Sequence, residues 1–180
     1  RRQKERVFRA AGLASVLTGL AALVFLLHTV VGNGWGAFTQ SYIQLPLKLD
    51  AQVLRIDNPL DEEEWDYANY AGVIKASLRE RFPEVTSRKQ KRILYRLVSP
   101  GASFQVKQLL DDRSLLGSEV TLWLPADDDV DSLIKGYINR ELPEKERRVK
   151  DFALTLIDDL VSSGQLERKF NLIFFSAGDS

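Results

Sequence analysis

Cysteine is absent from this 180-residue chain, and that one absence removes disulfide scaffolds, thiolate metal sites and cysteine nucleophiles together. Histidine is nearly absent. Its single copy, His28, lies in an apolar stretch near the start, so the rest of the chain has no imidazole for a Ser-His-Asp triad or a histidine metal site. A basic footprint is missing as well. The totals are 25 basic and 25 acidic residues, but residues 1–9 hold five bases (Arg1, Arg2, Lys4, Arg6, Arg9) against the acid Glu5, which leaves 20 bases and 24 acids beyond them. A mildly acidic remainder disfavours a nucleic-acid partner. No internal repeat and no low-complexity linker interrupts it.

What is present begins with a long apolar run. From Ala10 to Val31 there are 22 residues without a formal charge, rich in Leu, Val and Ala. At about 1.5 Å per residue a helix of that length spans a hydrocarbon core of roughly 30 Å. It is too long for the apolar region of a cleaved signal peptide, so an uncleaved anchor is expected; a secreted domain would instead show a mature N terminus between Gly34 and Ala37. Five bases precede the run and none follows until Lys48, which by the positive-inside rule puts residues 1–9 in the cytoplasm and everything from Gly32 onward outside it. His28 falls near the boundary, where an imidazole reaches headgroups or water, and it is read as a solvated side chain rather than a proton relay. Trp35 and Tyr42 are expected to anchor at the interface. The glycines of Gly32-Asn33-Gly34-Trp35-Gly36 lack the strand, lysine and helix of a phosphate loop and are read as the end of the helix and a loose exit.

The distal part reads as α+β: a small sheet of about three strands covered by about five helices. Ile43, Leu45, Leu47 and Leu49 alternate with polar residues in a first strand, and Pro46 predicts that it lies at a sheet edge or carries an irregularity. Acids at Asp61 to Glu64 open a helix with Tyr67, Ala71, Ile74, Leu78 and Phe82 on one stripe. A second helix starts at Thr86 or Ser87 with Ile93, Leu94, Leu97 and Val98 inward, and Ser99-Pro100 opens a short third carrying Val106, Leu109 and Leu110. Glu119 to Leu124 is a second strand. Val130, Leu133, Ile134, Tyr137 and Ile138 mark a fourth helix. After Pro143 the longest helix of the domain presents Val149, Phe152, Ala153, Leu156, Ile157, Leu160 and Val161, closing at Gly164. Leu166 to Phe175 is a third strand, with apolar residues on both sides of its second half.

Two clusters invite chemistry. Arg88, Lys89, Lys91, Arg92 and Arg96 crowd the second helix and raise an anion-binding reading, against which stands an ordinary solvated face. Asp127, Asp128, Asp129 and Asp131 resemble the start of a calcium loop, but the sixth position is Ser132 where glycine is needed and the twelfth is Ile138 where glutamate is needed. Helix capping accounts for them better. No catalytic residue, metal ligand or cofactor site is assigned, substrate-binding residues stay unassigned, and enzymatic activity is not expected.

Several segments carry a family likeness: the basic start Arg1 to Arg9, Val31-Gly32 to Ala37-Phe38-Thr39-Gln40, Ala68-Asn69-Tyr70, Val98-Ser99-Pro100-Gly101-Ala102, Val120-Thr121-Leu122-Trp123-Leu124, Asp128-Asp129-Val130-Asp131 with Lys135-Gly136, and Phe170-Asn171 to Ser176-Ala177-Gly178-Asp179-Ser180. Through them the whole chain resembles the N-terminal part of PstA-type permease subunits of bacterial phosphate ABC importers. The resemblance implies a multi-pass inner-membrane protein working with membrane lipid, a second permease subunit, a cytoplasmic ATPase subunit and a periplasmic phosphate-binding protein. Residues 32–180 would then be a periplasmic insertion ending just before a further span, in an interaction role outside the translocation pathway. The competing reading is a membrane-anchored extracytoplasmic sensor or ligand-binding domain.

Overall fold

The computed structural model describes residues 2–170. The chain divides into two compact units, one holding the N-terminal helix and the other starting at Gln40.

In the first unit, α1 (Arg2–Gly34) contains an apolar stretch, Phe8–Gly32, of 25 residues and mean hydropathy 2.3, long and apolar enough to cross a membrane. Its large apolar side chains from Leu13 to Val31 are 51–72% exposed all round the helix, a surface suited to lipid rather than water. The hydroxyls of Ser15, Thr18 and Thr29 each donate to the carbonyl four residues earlier, so these three polar groups do not ask for water. The helix continues through Gly32 to Gly34, and a 3-10 turn, Trp35–Phe38, follows at once. The exit is therefore wound into helical turns where the glycine count had suggested a loose one.

The second unit is built on a three-stranded antiparallel sheet in the order β2-β1-β3. Strand β1 (Thr39–Lys48) places Ile43, Leu45 and Leu47, and Leu49 just beyond, inward with no exposure at all, because period-two alternation sends every second residue to the helix-covered face. It pairs with β2 (Glu119–Pro125) in the register Ile43↔Leu124, Leu45↔Leu122, Leu47↔Val120. β1 is central, which corrects the edge position expected from Pro46. The reason lies in the direction of the missing donor. The Gln44 N–H donates toward β3, to Gln165 O at 2.8 Å, and alternate residues of a strand point the same way. Pro46 thus turns its nitrogen to the side where β3 (Leu166–Phe170), starting beside Gln44 and running back along β1, has not yet begun. Tyr42 is half-buried in the sheet opposite Pro125.

Among the described residues seven α-helices follow β1, where about five were expected. The passage read as turns contains α2 (Ala51–Leu54), capped by Asp50 on the Gln52 N–H. The helix expected from Asp61 to Phe82 is two: α3 (Glu62–Asp66), capped by Asp61, and α4 (Tyr70–Arg81). Asn69 makes the break. Its side chain accepts from Gly72 N at 3.1 Å and donates to Val53 O at 3.2 Å, while its own N–H bonds Leu54 O. A Cβ on Gly72 would lie 2.1 Å from the Asn69 amide, so this cap requires glycine there. Tyr67, expected in the core, is 87% exposed in the break, and Tyr70, one turn later, is buried with its hydroxyl on Trp65 O at 2.5 Å.

Ser87 caps α5 (Arg88–Tyr95), from which Leu94, Leu97 and Val98 enter the core. Helix α6 (Ala102–Leu109) begins after Gly101 without a side-chain cap, so Ser99-Pro100 forms a preceding turn and not the helix start. Helix α7 (Asp128–Ile134) follows β2 directly. The segment after Pro143 is first a 3-10 turn and then a bend, and α8 (Asp151–Ser162), equal in length to α4, closes at Gly164 with φ +68°. Ala153, Leu156, Ile157 and Leu160 of α8 are buried, whereas Val161 faces out. Contacts of α4 with α5 and α6, of α5 with α8 and of α8 with β3 close one hydrophobic core. The expected continuation of the third strand past Phe170 lies outside the described residues.

Candidate interaction surface

The aspartates after β2 do local work. Asp127 accepts from Asp129 N at 3.1 Å and caps α7, with Asp128, Asp129 and Asp131 in its first turn at the positive end of the dipole. Asp131 also reaches out of its helix: it accepts the Ser41 N–H at 2.8 Å and pairs with Lys135 at 2.6 Å, with side chains only 17% and 10% exposed. This ties α7 to the start of β1, where Tyr42 has its phenol pushed up by burial and then by the Asp131 charge. Among the described residues no group of three or more His, Cys, Asp or Glu side chains converges on a metal-sized site. His28 is exposed on α1.

A cleft between α5, α7 and α8, lined by Arg96, Asp129, Arg148 and Ile157 among others, holds about 70 Å³, far below the several hundred Å³ of a small-molecule site. Larger openings lie on the outside of α5. One of about 820 Å³ runs along Thr86, Arg88, Lys89, Lys91, Arg92 and Tyr95, and another of about 590 Å³ lies between α4, the end of α5 and the start of α6.

The five bases of the α5 segment are the unusual feature. Many cations elsewhere find carboxylates, among them Lys48 with Glu80 at 2.7 Å, Lys107 with Asp66 at 3.0 Å, Arg140 with Asp158 at 2.6 Å, Arg81 with Asp159 and Arg113 with Glu62, and those that do not, such as Arg55 and Lys145, are scattered and not clustered. Arg88, Lys89, Lys91, Arg92 and Arg96 have no carboxylate within ion-pair distance among the described residues. Helix α4 extends the charge: Lys75 Nζ lies 5.7 Å from the Tyr95 ring centroid and Arg79 donates to the Tyr95 hydroxyl at 3.4 Å. The basic cluster noticed in the sequence is thus assembled on one surface around Tyr95. The contributions of Lys75 and Arg79 were not foreseen, since only the packing of α4 on α5 brings them there.

Residues 1–144 match the family described as Domain of unknown function (DUF3333). The chain belongs to that family. The match covers α1, β1, β2 and the helices through α7, and it stops short of α8 and β3, whose Leu156, Ile157, Leu160 and Leu166 complete the core of this domain. No curated protein and no solved structure matches the chain.

Proposed function

We propose that this DUF3333 chain is the membrane anchor and extracytoplasmic interaction domain of the permease subunit of a bacterial phosphate ABC importer. The observation that carries the reading is the order of parts: a basic flank, one lipid-suited helix, and at once a domain with its own core. The basic flank keeps the N terminus cytoplasmic and sends the domain across. The segments that carry the likeness to PstA-type permeases support it from a second side. Ala68-Asn69-Tyr70 is the cap of α4, Val98 to Ala102 joins α5 to α6, Val120 to Leu124 is β2, and Asp128 to Asp131 is the first turn of α7. These are positions where backbone geometry or packing dictates the residue, so the shared features favour a shared domain and not a chance likeness of composition. In this reading the domain serves assembly, and the translocation pathway is formed by other parts of the permease.

The test is biochemical. The natural full-length protein is solubilised from its own membranes in mild detergent, its companions are identified by mass spectrometry, and labelled phosphate uptake is measured in cells lacking it. A second permease subunit and an ATPase subunit in fixed ratio, with uptake lost in the deletion, is the expected result. Unchanged uptake, or a signalling module as the stoichiometric companion, would overturn the importer reading in favour of a sensor.

A further inference from the structure

We propose that the basic surface of α5 rests on anionic phospholipid headgroups, holding the domain against the bilayer that α1 crosses. The argument starts from what α5 gives up. Arg88, Arg92 and Arg96 follow one another at four-residue steps and so form one row, with Lys89 and Lys91 beside it. Like charges at that spacing repel, each pair costing a few tenths of a kcal/mol. Arg88 and Lys89 also occupy the first turn, where the helix dipole is positive, and α5 contains no acid to offset them. Arg92 in the last turn and Arg96 at the C-cap do complement the dipole, but a row of like charges that strains the first turn and has no carboxylate partner marks a surface shaped for something outside the fold.

The choice of occupant follows from the composition of that surface and from its tether. The opening along α5 is lined by four cations, Thr86 and Tyr95, with no aliphatic side chain, which suits headgroup phosphates, where cations alone supply attraction. The tether is short. Seven residues lie between Gly32, the last of the apolar stretch, and Gln40, the first of the domain, and Trp35–Phe38 among them are wound in a 3-10 turn. Even fully extended they reach less than about 28 Å, while a domain of this size has a radius of gyration of about 14 Å. The entry end of the domain therefore stays within about 28 Å of the end of the apolar stretch, so each weak ionic contact forms at high effective concentration. The Arg96 end of α5 also belongs to the entry end of the domain: Asp127 N bonds Leu97 O, and the adjoining Ala126 N bonds Ser41 O, one residue past Gln40.

The experiment uses the full chain in nanodiscs made either of phosphatidylcholine or of phosphatidylcholine mixed with phosphatidylglycerol. Acetylation rates of Lys89 and Lys91 are read by mass spectrometry, with exposed Lys145 as internal reference. The expected result is about tenfold slower acetylation of Lys89 and Lys91 in the anionic discs, reversed by high salt, with Lys145 unchanged; the pair R88E and R92E abolishes the difference. Equal rates in the two discs overturn the proposal. So does protection that appears only in native membranes and not in anionic discs, which would assign the surface to an acidic protein. Neither outcome bears on phosphate uptake, so this proposal and the importer reading fail separately.

Discussion

Helices α5 and α7 are of nearly the same length and are capped in the same way, yet their charges are arranged in opposite senses. In α7 the cap Asp127 is followed by three aspartates in the first turn, and Lys135 at the other end folds back on Asp131. Each charge there complements the dipole, and the last of them locks the helix to β1 through Ser41. In α5 the cap Ser87, accepting from Gln90 N at 3.2 Å, is followed by Arg88 and Lys89 with no acid anywhere in the helix. The same fold therefore contains one helix whose charges are consumed in holding it together and one whose charges are left facing outward. Function is to be sought at the second.

The comparison is broken most severely at Asp131. Asp131→Asn keeps an oxygen for the Ser41 N–H but leaves the Lys135 ammonium, 10% exposed, without its counter-charge. Breaking a pair so sheltered should cost about 3 kcal/mol of stability, read by denaturant unfolding of the full chain in detergent through tryptophan fluorescence. The double variant D131N with K135M should recover at least half of the loss. A single-variant loss below about 1 kcal/mol would show that the pair behaves as an exposed one.

The two caps come next and should prove equal. Ser87→Ala and Asp127→Ala each remove one acceptor from a helix N terminus and should each cost about 1 kcal/mol in the same assay. Equality would confine the contrast between α5 and α7 to the charges. A much smaller effect at Ser87 would mean that α5 is held by its neighbours and not by its own cap.

These helices also show what the sequence disclosed and what it hid. The inward face of β1, the second strand, a helix start at Thr86 or Ser87, the capping role of the aspartates from Asp127 to Asp131 and the closing Gly164 were all legible, because each rests on spacing of two or on a residue type with one local role. The break at Asn69 was not. An unbroken stripe from Tyr67 to Phe82 satisfies helical spacing as well, and only the reach of Asn69 to Val53 and Leu54, in another helix, decides against it. Pro46 was misread for a similar reason: proline excludes a donor on one side of a strand, and which neighbour that side faces is a property of the sheet. For the surface on α5 the sequence supplied the five bases, whereas their lack of partners is a fact of packing that no spacing reveals.

Charge reversal in the first turn sharpens the comparison with a smaller effect of predictable sign. Arg88→Glu places an acid at the positive end of α5 and should stabilise the chain by about 0.3–1 kcal/mol. Asp128→Lys makes the mirror change in α7 and should destabilise it by a similar amount. Opposite signs would establish that α5 carries its cations at the expense of its own stability. A destabilising R88E would instead reveal a structural role for Arg88 that its exposure hides.

Acid supplies the smallest effect and tests the same rule in a third helix. Like α7, α3 has acids in its first turn, Glu62, Glu63 and Glu64, and Glu62 bonds Arg113, whose guanidinium lies 5.0 Å from the Trp65 ring centroid. That hydrogen bond first, and the nearby positive charge of Arg113 second, hold the Glu62 carboxyl below the usual carboxylate range. A carboxyl lowered in the folded state adds stability above its unfolded value and loses it as pH falls through the folded one. Because α5 has no carboxylate, it has nothing to lose over that range. Hydrogen exchange, corrected for its intrinsic pH dependence and followed from about pH 6 to about pH 3, should show the amides of residues 62–66 losing protection before those of residues 88–95. Glu62→Gln should remove most of the acid response of α3, and an unaltered response in that variant would place its origin in another acid of the same turn.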